Sequence, residues 1–226
     1  MSSTFRERCE RLLEQIRAEV ADTRTYTGRT QLSERVIEAV RSVPRHEFVP
    51  EDLQPSAYAN HPLPIGHGQT ISQPYIVALM TDLLDPHPEH TVLEIGTGSG
   101  YQAAVLACLV KQVYSIEIVD ALGEQAKERL QRLGYDNVEV RVGNGYFGWP
   151  EHAPYDSIIV TAAASHVPDP LIEQLKPGGV LVIPVGGQYY GQELLVIEKD
   201  AEGTLHKKSV LPVVFVPLTG STEEHH

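Results

Sequence analysis

The segment Thr91-Val-Leu-Glu-Ile-Gly-Thr-Gly-Ser-Gly-Tyr101 decides the fold of this 226-residue chain. Its apolar residues Val92, Leu93 and Ile95 predict a short buried strand, and the glycines that follow mark the end of that strand. From residue 101 to residue 110 the chain is rich in alanine and aliphatic residues, which predicts a helix with an apolar face. A strand, a glycine turn and a helix in this order form the opening of a nucleotide-binding βαβ unit.

The spacing of the glycines favours one kind of nucleotide. Gly96, Gly98 and Gly100 follow a G-x-G-x-G pattern, in which the backbone can turn tightly and approach a ligand closely. A dinucleotide fingerprint needs a small residue where this chain has Tyr101. The pattern therefore favours S-adenosylmethionine, which lies across such a loop without seating a pyrophosphate on the helix. Glycine turns also follow strands for purely structural reasons, so the loop taken alone leaves that alternative open.

Two further segments are predicted to complete a nucleotide site. Residues 112–118 predict the second strand of the unit, and Glu117 stands at its end, where an acid accepts hydrogen bonds from ribose hydroxyls. Residues 138–142 predict a third strand, followed by the glycine-rich and aromatic segment 143–149. There Asn144 can meet an adenine edge through its amide. The alternative is a turn whose aromatic side chains are buried for packing.

Composition and charge narrow the class of protein. A chain of 226 residues with 42% hydrophobic residues can form one substantial core. The net charge of −12 argues against nucleic acid as the main partner, because phosphate binding needs a basic face. No apolar run approaches the ~20 residues that cross a membrane. The first ten residues are polar and charged, so they predict no secretory signal.

The cysteines and histidines predict neither disulfides nor a metal site. Cys9 and Cys108 form no framework, and Cys108 is expected in the core, so a reduced, cytoplasmic setting is predicted. His87 and His90 have ligand-like spacing but lie in a proline-rich segment without a further donor. We therefore predict no metal.

The N-terminal part is predicted to pack on the nucleotide unit and to supply a substrate loop. Two amphipathic helices are expected before Pro44, with a polar break between them at 23–30. Residues 48–70 are rich in proline and glycine, and we predict an ordered loop over the site. A helix is expected from Pro74 with Ser72 or Gln73 as its cap. The Ser72 hydroxyl beside free N–H groups suits a carboxylate, and the alternative is that Ser72 only caps the helix.

The remaining segments predict more strands of one sheet. The expected strands are 157–161, 180–185, 192–198 and 210–216, with a short helix over 168–175. No repeat or second core is visible, so residues 1–220 are predicted to form a single domain with the N-terminal helices and substrate loop in 1–90 and the Rossmann-like core in 91–220. The tail 221–226 ends in two histidines, as a purification tag would.

Narrower motifs resemble those of the protein-L-isoaspartate O-methyltransferases over nearly the whole of residues 30–219. The most specific are Gly-Gln-Thr-Ile-Ser-Gln-Pro within residues 63–78 and Val-Pro-Leu-Thr at residues 216–219, since a glycine loop is common to all class I methyltransferases. The other matching stretches are residues 45–50, 92–107, 143–149, 155–164, 175–179 and 183–186.

The resemblance implies an α/β, Rossmann-like class I methyltransferase. Its sheet would have seven strands, mostly parallel, with an antiparallel last strand, and helices would precede it. The implied methyl donor is S-adenosyl-L-methionine, and the product is S-adenosyl-L-homocysteine. The implied acceptor is the free α-carboxylate of an L-isoaspartyl residue in a damaged protein or peptide. The ester would then initiate repair through a succinimide.

Site residues are carried over at matching positions. Gly96 and its loop are expected to hold the methionine part of the donor, Glu117 the ribose, and Asn144 with Gly145 the adenine. Ser72 stands where the family has its essential serine and is the expected catalytic residue. The full set of expected cofactor contacts is Gln69, Thr70, Ile71, Ser72, Glu94, Gly96, Thr97, Gly98, Gly100, Glu117, Asn144, Gly145 and Thr219, and the expected substrate contacts are Ile65, Ser72 and Val216.

The chain departs from the family pattern at one expected contact. The family usually has aspartate where this chain has Asn144. A neutral amide oxygen still accepts a hydrogen bond from an adenine amino group, but more weakly than a carboxylate does. We therefore expect donor binding to persist with lower affinity.

The implied reaction needs no general base. A carboxylate with a pKa near ~4 is ionised at neutral pH, which agrees with the motifs containing no obligatory histidine or cysteine nucleophile. Methyl transfer then depends on alignment and desolvation. Ser72 and backbone N–H groups near Val216 are expected to hold the carboxylate, while the loop 58–68 closes over it.

Two rival classes remain open at this point. One is an S-adenosylmethionine enzyme that methylates a small molecule, which the narrow motifs disfavour. The other is a non-catalytic protein that binds the cofactor and a partner, which only the Asn144 departure favours. A nicotinamide oxidoreductase is disfavoured by Tyr101. The expected protein is a monomer that acts on isoaspartyl proteins and peptides.

Overall fold

Helices and a small hairpin make up the N-terminal part of the chain. The computed structural model describes residues 3–187 and 191–220, so the expected tail 221–226 lies outside it. The elements are α1 (Ser3–Thr27), α2 (Glu34–Ser42), the antiparallel strands β1 (Leu63–Gly66) and β2 (Gln69–Ile71), and α3 (Pro74–Leu83). Short 3₁₀ helices at Arg45–Phe48 and Glu51–Ser56 precede the hairpin. Helix α1 therefore continues into the predicted polar break, and the predicted loop 48–70 contains regular elements.

Seven strands form the central sheet, in the order β5-β4-β3-β6-β7-β8-β9. The five strands β3 to β7 are parallel, whereas β8 is antiparallel to both of its neighbours. The expected mostly parallel sheet with an antiparallel end is confirmed, and β9 runs in the same direction as the parallel strands. The elements are β3 (Thr91–Ile95), α4 (Tyr101–Ala107), β4 (Gln112–Glu117), α5 (Asp120–Arg132), β5 (Val138–Val142), β6 (Tyr155–Val160), α6 (Asp169–Glu173), β7 (Leu175–Gly187), β8 (Gly191–Lys199) and β9 (Leu205–Val213).

The two faces of the sheet carry separate apolar clusters. Successive residues of a strand point to opposite faces, so Val92 joins one cluster while Leu93 and Ile95 join the other. The first cluster also contains buried side chains of α1, α2 and α3, among them Leu13 and Val36. The N-terminal helices therefore pack on one face of the sheet, as expected, and the carboxyl ends of the parallel strands remain at one edge.

The last strand lies earlier in the chain than predicted. It spans 205–213 rather than 210–216, and Glu198 pairs with His206. β9 is an edge strand whose first half is largely exposed, so its polar residues gave no apolar pattern. Residues 216–218 instead leave the sheet and pass beside Ala163: the Ala163 N–H donates to the Val216 carbonyl at 2.8 Å, and the Leu218 N–H donates to the Ala163 carbonyl at 2.7 Å.

Cys108 is not in the core, where it was expected. Cys9 is buried, whereas Cys108 is exposed because it lies at the end of α4 rather than on its apolar face. Among the described residues, no helix is both long and apolar enough to span a membrane. The same part of the chain contains no group of three or more His, Cys, Asp or Glu side chains arranged to hold a metal ion.

Candidate active site

The glycine loop connects β3 to α4 and depends on backbone that only glycine adopts easily. Gly96 has φ of +93° and Gly100 has φ of +87°. A Cβ on Gly96 would lie 2.5 Å from the Thr161 hydroxyl oxygen. That hydroxyl donates to the carbonyls of Ile95 and Gly96 at 3.1 and 2.6 Å, which ties the end of β6 to the loop. The loop is thus held tightly against the sheet.

Glu117 fastens the loop from the neighbouring strand. Its Oε2 accepts from the Gly98 N–H at 2.7 Å, and its Oε1 accepts from the Val119 N–H at 3.0 Å. The side chain is only 5% exposed, yet it lines a cleft at the carboxyl edge of the sheet. A carboxylate has about four acceptor sites, so two N–H donors leave capacity for ribose hydroxyls. This geometry fits the role expected of Glu117.

The cleft brings together most of the expected cofactor contacts. They come from β2 and the residue after it, the glycine loop, β4, the 143–149 segment and the C-terminal segment: Gln69, Thr70, Ile71, Ser72, Gly96, Thr97, Gly98, Glu117, Gly145 and Thr219. The expected substrate contact Val216 also lines this cleft. Sequence reasoning missed other lining residues, including Tyr101, Gln102, Ile118, Thr161 and Leu218. The apolar Ile118 directly follows Glu117 and is partly exposed, so it offers a wall for a planar base. These residues fit S-adenosylmethionine.

Four expected contacts do not line this cleft. Gly100 packs against α5, where a Cβ would meet Leu130 at 3.2 Å. Ile65 lies beside the loop, 3.5 Å from the position of a Cβ on Gly98. Asn144 and Glu94 have side chains engaged elsewhere in the protein. The predicted donor contacts of Gly100, Asn144 and Glu94, and the predicted substrate contact of Ile65, remain predictions.

Asn144 connects the 143–149 segment to the end of the described chain. Its Oδ1 accepts from the Tyr146 N–H at 3.0 Å, and its Nδ2 donates to the Gly220 carbonyl at 2.7 Å. An aspartate could accept the first bond but could not donate the second. The amide at this position is therefore matched to the C-terminal segment, which carries Thr219 into the cleft. Its predicted adenine contact remains a prediction.

Glu94 lies wholly beneath the glycine loop. Its Oε2 accepts from the Ser115 hydroxyl, which lies 2.6 Å from the Thr97 hydroxyl, whereas Oε1 is buried without a partner. Burial raises the pKa of Glu94 to about 8, and the Glu117 charge adds to that effect while the Ser115 hydrogen bond opposes it. Because burial disfavours the charged form, the protonated form of Glu94 is favoured below the raised pKa. It supports the loop through Ser115 and Thr97.

The raised pKa of Glu94 predicts a pH-dependent stability. The folded protein binds the Glu94 proton more tightly than the unfolded chain does, so this proton stabilises the fold. The stabilisation is fully present below the ordinary glutamate pKa and is lost as pH rises through the folded pKa of about 8. We expect Glu94→Gln to have a Tm close to that of the wild type at about pH 5 and a clearly higher one at about pH 9. Thermal unfolding of both proteins across this range checks it. A Tm difference that does not change with pH would contradict the assignment.

Ser72 lies where the donor cleft meets a second, larger cleft. The larger cleft has a volume of about 930 Å³ and shares Thr70, Ser72, Thr161, Val216 and Pro217 with the first. Gln73, not Ser72, is the N-cap of α3, and its side chain does not bond to the helix. Within the described chain the Ser72 hydroxyl has no hydrogen-bond partner. The alternative that Ser72 only caps the helix is therefore wrong.

The backbone N–H of Val216 is also free within the described residues. The Val216 carbonyl accepts from the Ala163 N–H, so the strand-like segment is held while its amide remains available. Val216 lines both clefts together with Ser72. A hydroxyl and an N–H at one junction are two neutral donors suited to a carboxylate.

Arg45 binds the backbone carbonyl of Ser72. The sequence did not indicate this contact. The Arg45 guanidinium donates from Nε to the Ala57 carbonyl at 2.9 Å and from Nη2 to the Ser72 carbonyl at 2.8 Å. It lies over the Tyr101 ring at 4.7 Å and is only 1% exposed. Burial lowers the Arg45 pKa to about 10, so the group keeps its charge at neutral pH. Arg45 lies in the stretch 45–50 that resembles the family, but no pattern in the neighbouring sequence indicated that its side chain is buried.

Replacing Arg45 by lysine tests this double contact. A lysine keeps the charge but not the planar fork whose Nε and Nη2 reach the two carbonyls, so we expect one carbonyl to lose its partner. An unsatisfied buried carbonyl costs about 1–3 kcal/mol, and we expect Arg45→Lys to lower the free energy of unfolding by that amount. Chemical denaturation measures it, with Arg132→Lys, at a largely exposed position, as the control. Equal stability of both variants would show that the Arg45 contacts contribute little.

Glu117 offers a direct test of the donor cleft. We expect Glu117→Gln to raise the Kd for S-adenosylhomocysteine about 10-fold, because hydrogen bonds to a charged group contribute about 1.5–3 kcal/mol and the amide replaces one acceptor by a donor. Calorimetric titration measures the Kd. Glu139→Gln on the exposed side of β5 is the matched control and should bind like the wild type. Unchanged binding by Glu117→Gln would place the ribose elsewhere.

The fold and this cleft together define a class I S-adenosylmethionine-dependent methyltransferase. The defining features are the glycine loop after β3, the acid at the end of β4, and a seven-stranded sheet whose edge forms the cleft. A family model described as protein-L-isoaspartate(D-aspartate) O-methyltransferase matches residues 19–223. The chain belongs to this family.

Individual relatives agree with the family assignment. A protein of Polaromonas sp. (strain JS666 / ATCC BAA-500) called protein-L-isoaspartate O-methyltransferase 2 is 64% identical over 92% of this chain and 99% of its own length. One from Syntrophobacter fumaroxidans with the same name is 60% identical over 93% of this chain and 85% of its own. Both proteins align along most of their own length with this chain.

Solved structures described as protein-L-isoaspartate O-methyltransferases resemble this protein's fold. One described as protein-L-isoaspartate O-methyltransferase superposes with a TM-score of 0.81 at 29% identity, covering 94% of this chain and 66% of that one. One from Plasmodium falciparum, in complex with S-adenosyl-L-homocysteine, has a TM-score of 0.72 at 27% identity and covers 92% of this chain and 96% of its own. The family membership, together with the S-adenosyl-L-homocysteine of that neighbour, bears out the donor predicted from the glycine spacing.

Proposed function

We propose that this protein transfers a methyl group from S-adenosylmethionine to the free α-carboxylate of L-isoaspartyl residues in damaged proteins and peptides. The observation that carries this proposal is the Ser72 hydroxyl, which lies unbonded within the described chain at the junction of the donor cleft and the larger cleft. A carboxylate bound there would be next to the donor. The family membership supports the same acceptor.

The chemistry requires positioning rather than proton transfer. The bound donor supplies a methyl group on a positively charged sulfur. The acceptor carboxylate has a pKa near ~4 and is already a nucleophile at neutral pH. The Ser72 hydroxyl and the Val216 N–H would hold the carboxylate, while Glu117 and the glycine loop would hold the donor. Alignment and exclusion of water account for the acceleration.

The ester product leads to repair without further help from the enzyme. A methyl ester carries a better leaving group than the free acid, so the backbone nitrogen that follows attacks the ester carbonyl. The C–O bond to the methoxy group breaks, the nitrogen loses its proton, and methanol leaves as the succinimide forms. Hydrolysis of that ring yields normal aspartate in part. We propose that the protein initiates this sequence.

The setting of the enzyme is also part of the proposal. We infer a single domain over residues 1–220, a monomer, a cytoplasmic location and no nucleic-acid partner. The support is one continuous sheet with the N-terminal helices packed on it, two cysteines that form no disulfide, and a net charge of −12.

Paired peptides test the reaction and the acceptor together. The protein is incubated with labelled S-adenosylmethionine and two peptides that differ only in having isoaspartate or aspartate at one position. We expect base-labile label on the isoaspartyl peptide alone. Label on neither peptide, with the donor still bound, would favour small-molecule acceptors or a non-catalytic binding protein.

A further inference from the structure

The larger cleft contains a single charged side chain among its described lining residues. That residue is Glu19 of α1, which lines the cleft together with Thr23 one helical turn later. The other described lining residues are neutral, and many are apolar, including Ile76, Leu211 and Phe215. In a cleft whose other lining residues are neutral, a single carboxylate attracts cationic groups of a ligand and repels anionic ones.

Hydrogen bonds hold the Glu19 carboxylate in one orientation. Its Oε2 accepts from the Asn60 Nδ2 at 2.7 Å and from the Gln73 Nε2 at 3.1 Å, and its Oε1 accepts from the same Gln73 nitrogen at 3.2 Å. Asn60 is fixed in turn because its Oδ1 accepts from the Tyr75 N–H at 3.0 Å. The carboxylate is thus placed by residues of the substrate loop and of α3.

No positive charge neutralises Glu19 from within the described protein. Its hydrogen-bond donors are two neutral amides, and no lysine, arginine or histidine nitrogen of the described residues lies within 4.0 Å of it. Burial raises the pKa of Tyr75, and the Glu19 charge adds to that effect, so the charge acts on the cleft wall. The carboxylate therefore remains available to an external cation.

Glu19 lies a short distance from the expected catalytic serine. It bonds to the side chain of Gln73, which directly follows Ser72. The path from Ser72 to Glu19 therefore consists of the neighbouring residue Gln73, its side chain and one hydrogen bond. An extended peptide advances about 3.3 Å per residue, so this span covers about three residues.

We propose that Glu19 selects isoaspartyl substrates that carry a basic side chain within three residues of the damaged site, and disfavours those with an acidic side chain there. This inference rests on the proposed function and adds a substrate preference to it. A lysine or arginine side chain would place its charge against Glu19 while the isoaspartyl carboxylate lies at Ser72. The substrate would then present one negative and one positive group to two separate points of the cleft.

Three peptide series test the preference. Each peptide has one isoaspartate, and lysine, alanine or glutamate is placed at each of the three positions before and after it. We expect kcat/KM at the best position to decrease in the order lysine, alanine, glutamate, with a total range of about five-fold, as a partly exposed ion pair allows. The range should shrink in high salt.

Glu19→Gln identifies the residue responsible, with Glu14→Gln on the exposed side of the same helix as its control. We expect Glu19→Gln to reduce the range, measured relative to the alanine peptide of the same variant, to less than about two-fold, because the amide carries no charge. Glu14→Gln should behave like the wild type. Circular dichroism establishes that both variants are folded.

The outcomes separate this inference from the proposed function. Equal turnover of the three series by the wild type would overturn the selection by Glu19 and leave the methylation of isoaspartate intact. A range that survives in Glu19→Gln would overturn the assignment to this residue. No label on any isoaspartyl peptide would overturn the proposed function, and the substrate preference with it.

Discussion

Ser72→Ala is expected to lower kcat/KM for an isoaspartyl peptide by roughly 10- to 100-fold while the Kd for S-adenosylhomocysteine changes less than about two-fold. The physical reason is the loss of one hydrogen bond to a charged carboxylate, which contributes about 1.5–3 kcal/mol. Within the described residues the hydroxyl bonds to nothing else, so its removal breaks no contact of the protein. Peptide kinetics and calorimetric titration measure the two quantities.

A second serine provides the control for this experiment. Ser165 is exposed, lies outside both clefts and, among the described residues, has a side-chain hydrogen bond only to His166, so Ser165→Ala should retain full activity. An equal loss of turnover and donor affinity in Ser72→Ala would instead mark Ser72 as a structural residue or a donor contact. Full activity of Ser72→Ala would remove the hydroxyl from the proposed mechanism.

Gly96→Ala is expected to lower the free energy of unfolding by about 3–5 kcal/mol and to weaken donor binding at least 10-fold. Two costs combine. The φ of +93° strains any residue with a Cβ, and that Cβ would lie 2.5 Å from the Thr161 hydroxyl oxygen. To avoid this clash, the Thr161 side chain must move and break its hydrogen bonds to the carbonyls of Ile95 and Gly96. The glycine loop would then be held less firmly. Denaturation and titration with S-adenosylhomocysteine measure both effects.

Gly134→Ala separates the two costs. Gly134 has a similar φ of +81°, but a Cβ there would meet nothing within 4 Å. We expect it to lose about 1–2 kcal/mol from backbone strain alone and to bind the donor normally. If Gly96→Ala were no worse than Gly134→Ala, the close approach of β3 and β6 would have no energetic consequence.

Much of the fold was predictable from local sequence because its signals come from neighbouring residues. The buried strand at 92–95, the glycines after it and the helix from Tyr101 all lie within one short segment. Alternation along a strand and glycine spacing both act over a few residues. The β9 boundaries were wrong because most of that edge strand is exposed, and an exposed strand has no apolar pattern to detect.

Part of the candidate site was also visible in the sequence. Ser72, Glu117, Gly96 and Gly98 were expected at the site, and the structure places all of them along one cleft. Glu94 lies on the same strand as the loop, but sequence could not tell that it is covered, because burial depends on what packs against a strand. Ser115, from the next strand, is its partner.

The chain's own sequence establishes the methyltransferase class and the family, since glycine spacing and short motifs are local properties. The tertiary structure alone shows that Arg45 anchors the Ser72 carbonyl across 27 residues and that Gln73 bonds to Glu19 across 54. The sequence around either partner of such a pair contains no pattern that predicts the contact. Buried charges and hydrogen bonds are satisfied by whatever the fold brings near, and folding joins residues without regard to their distance along the chain.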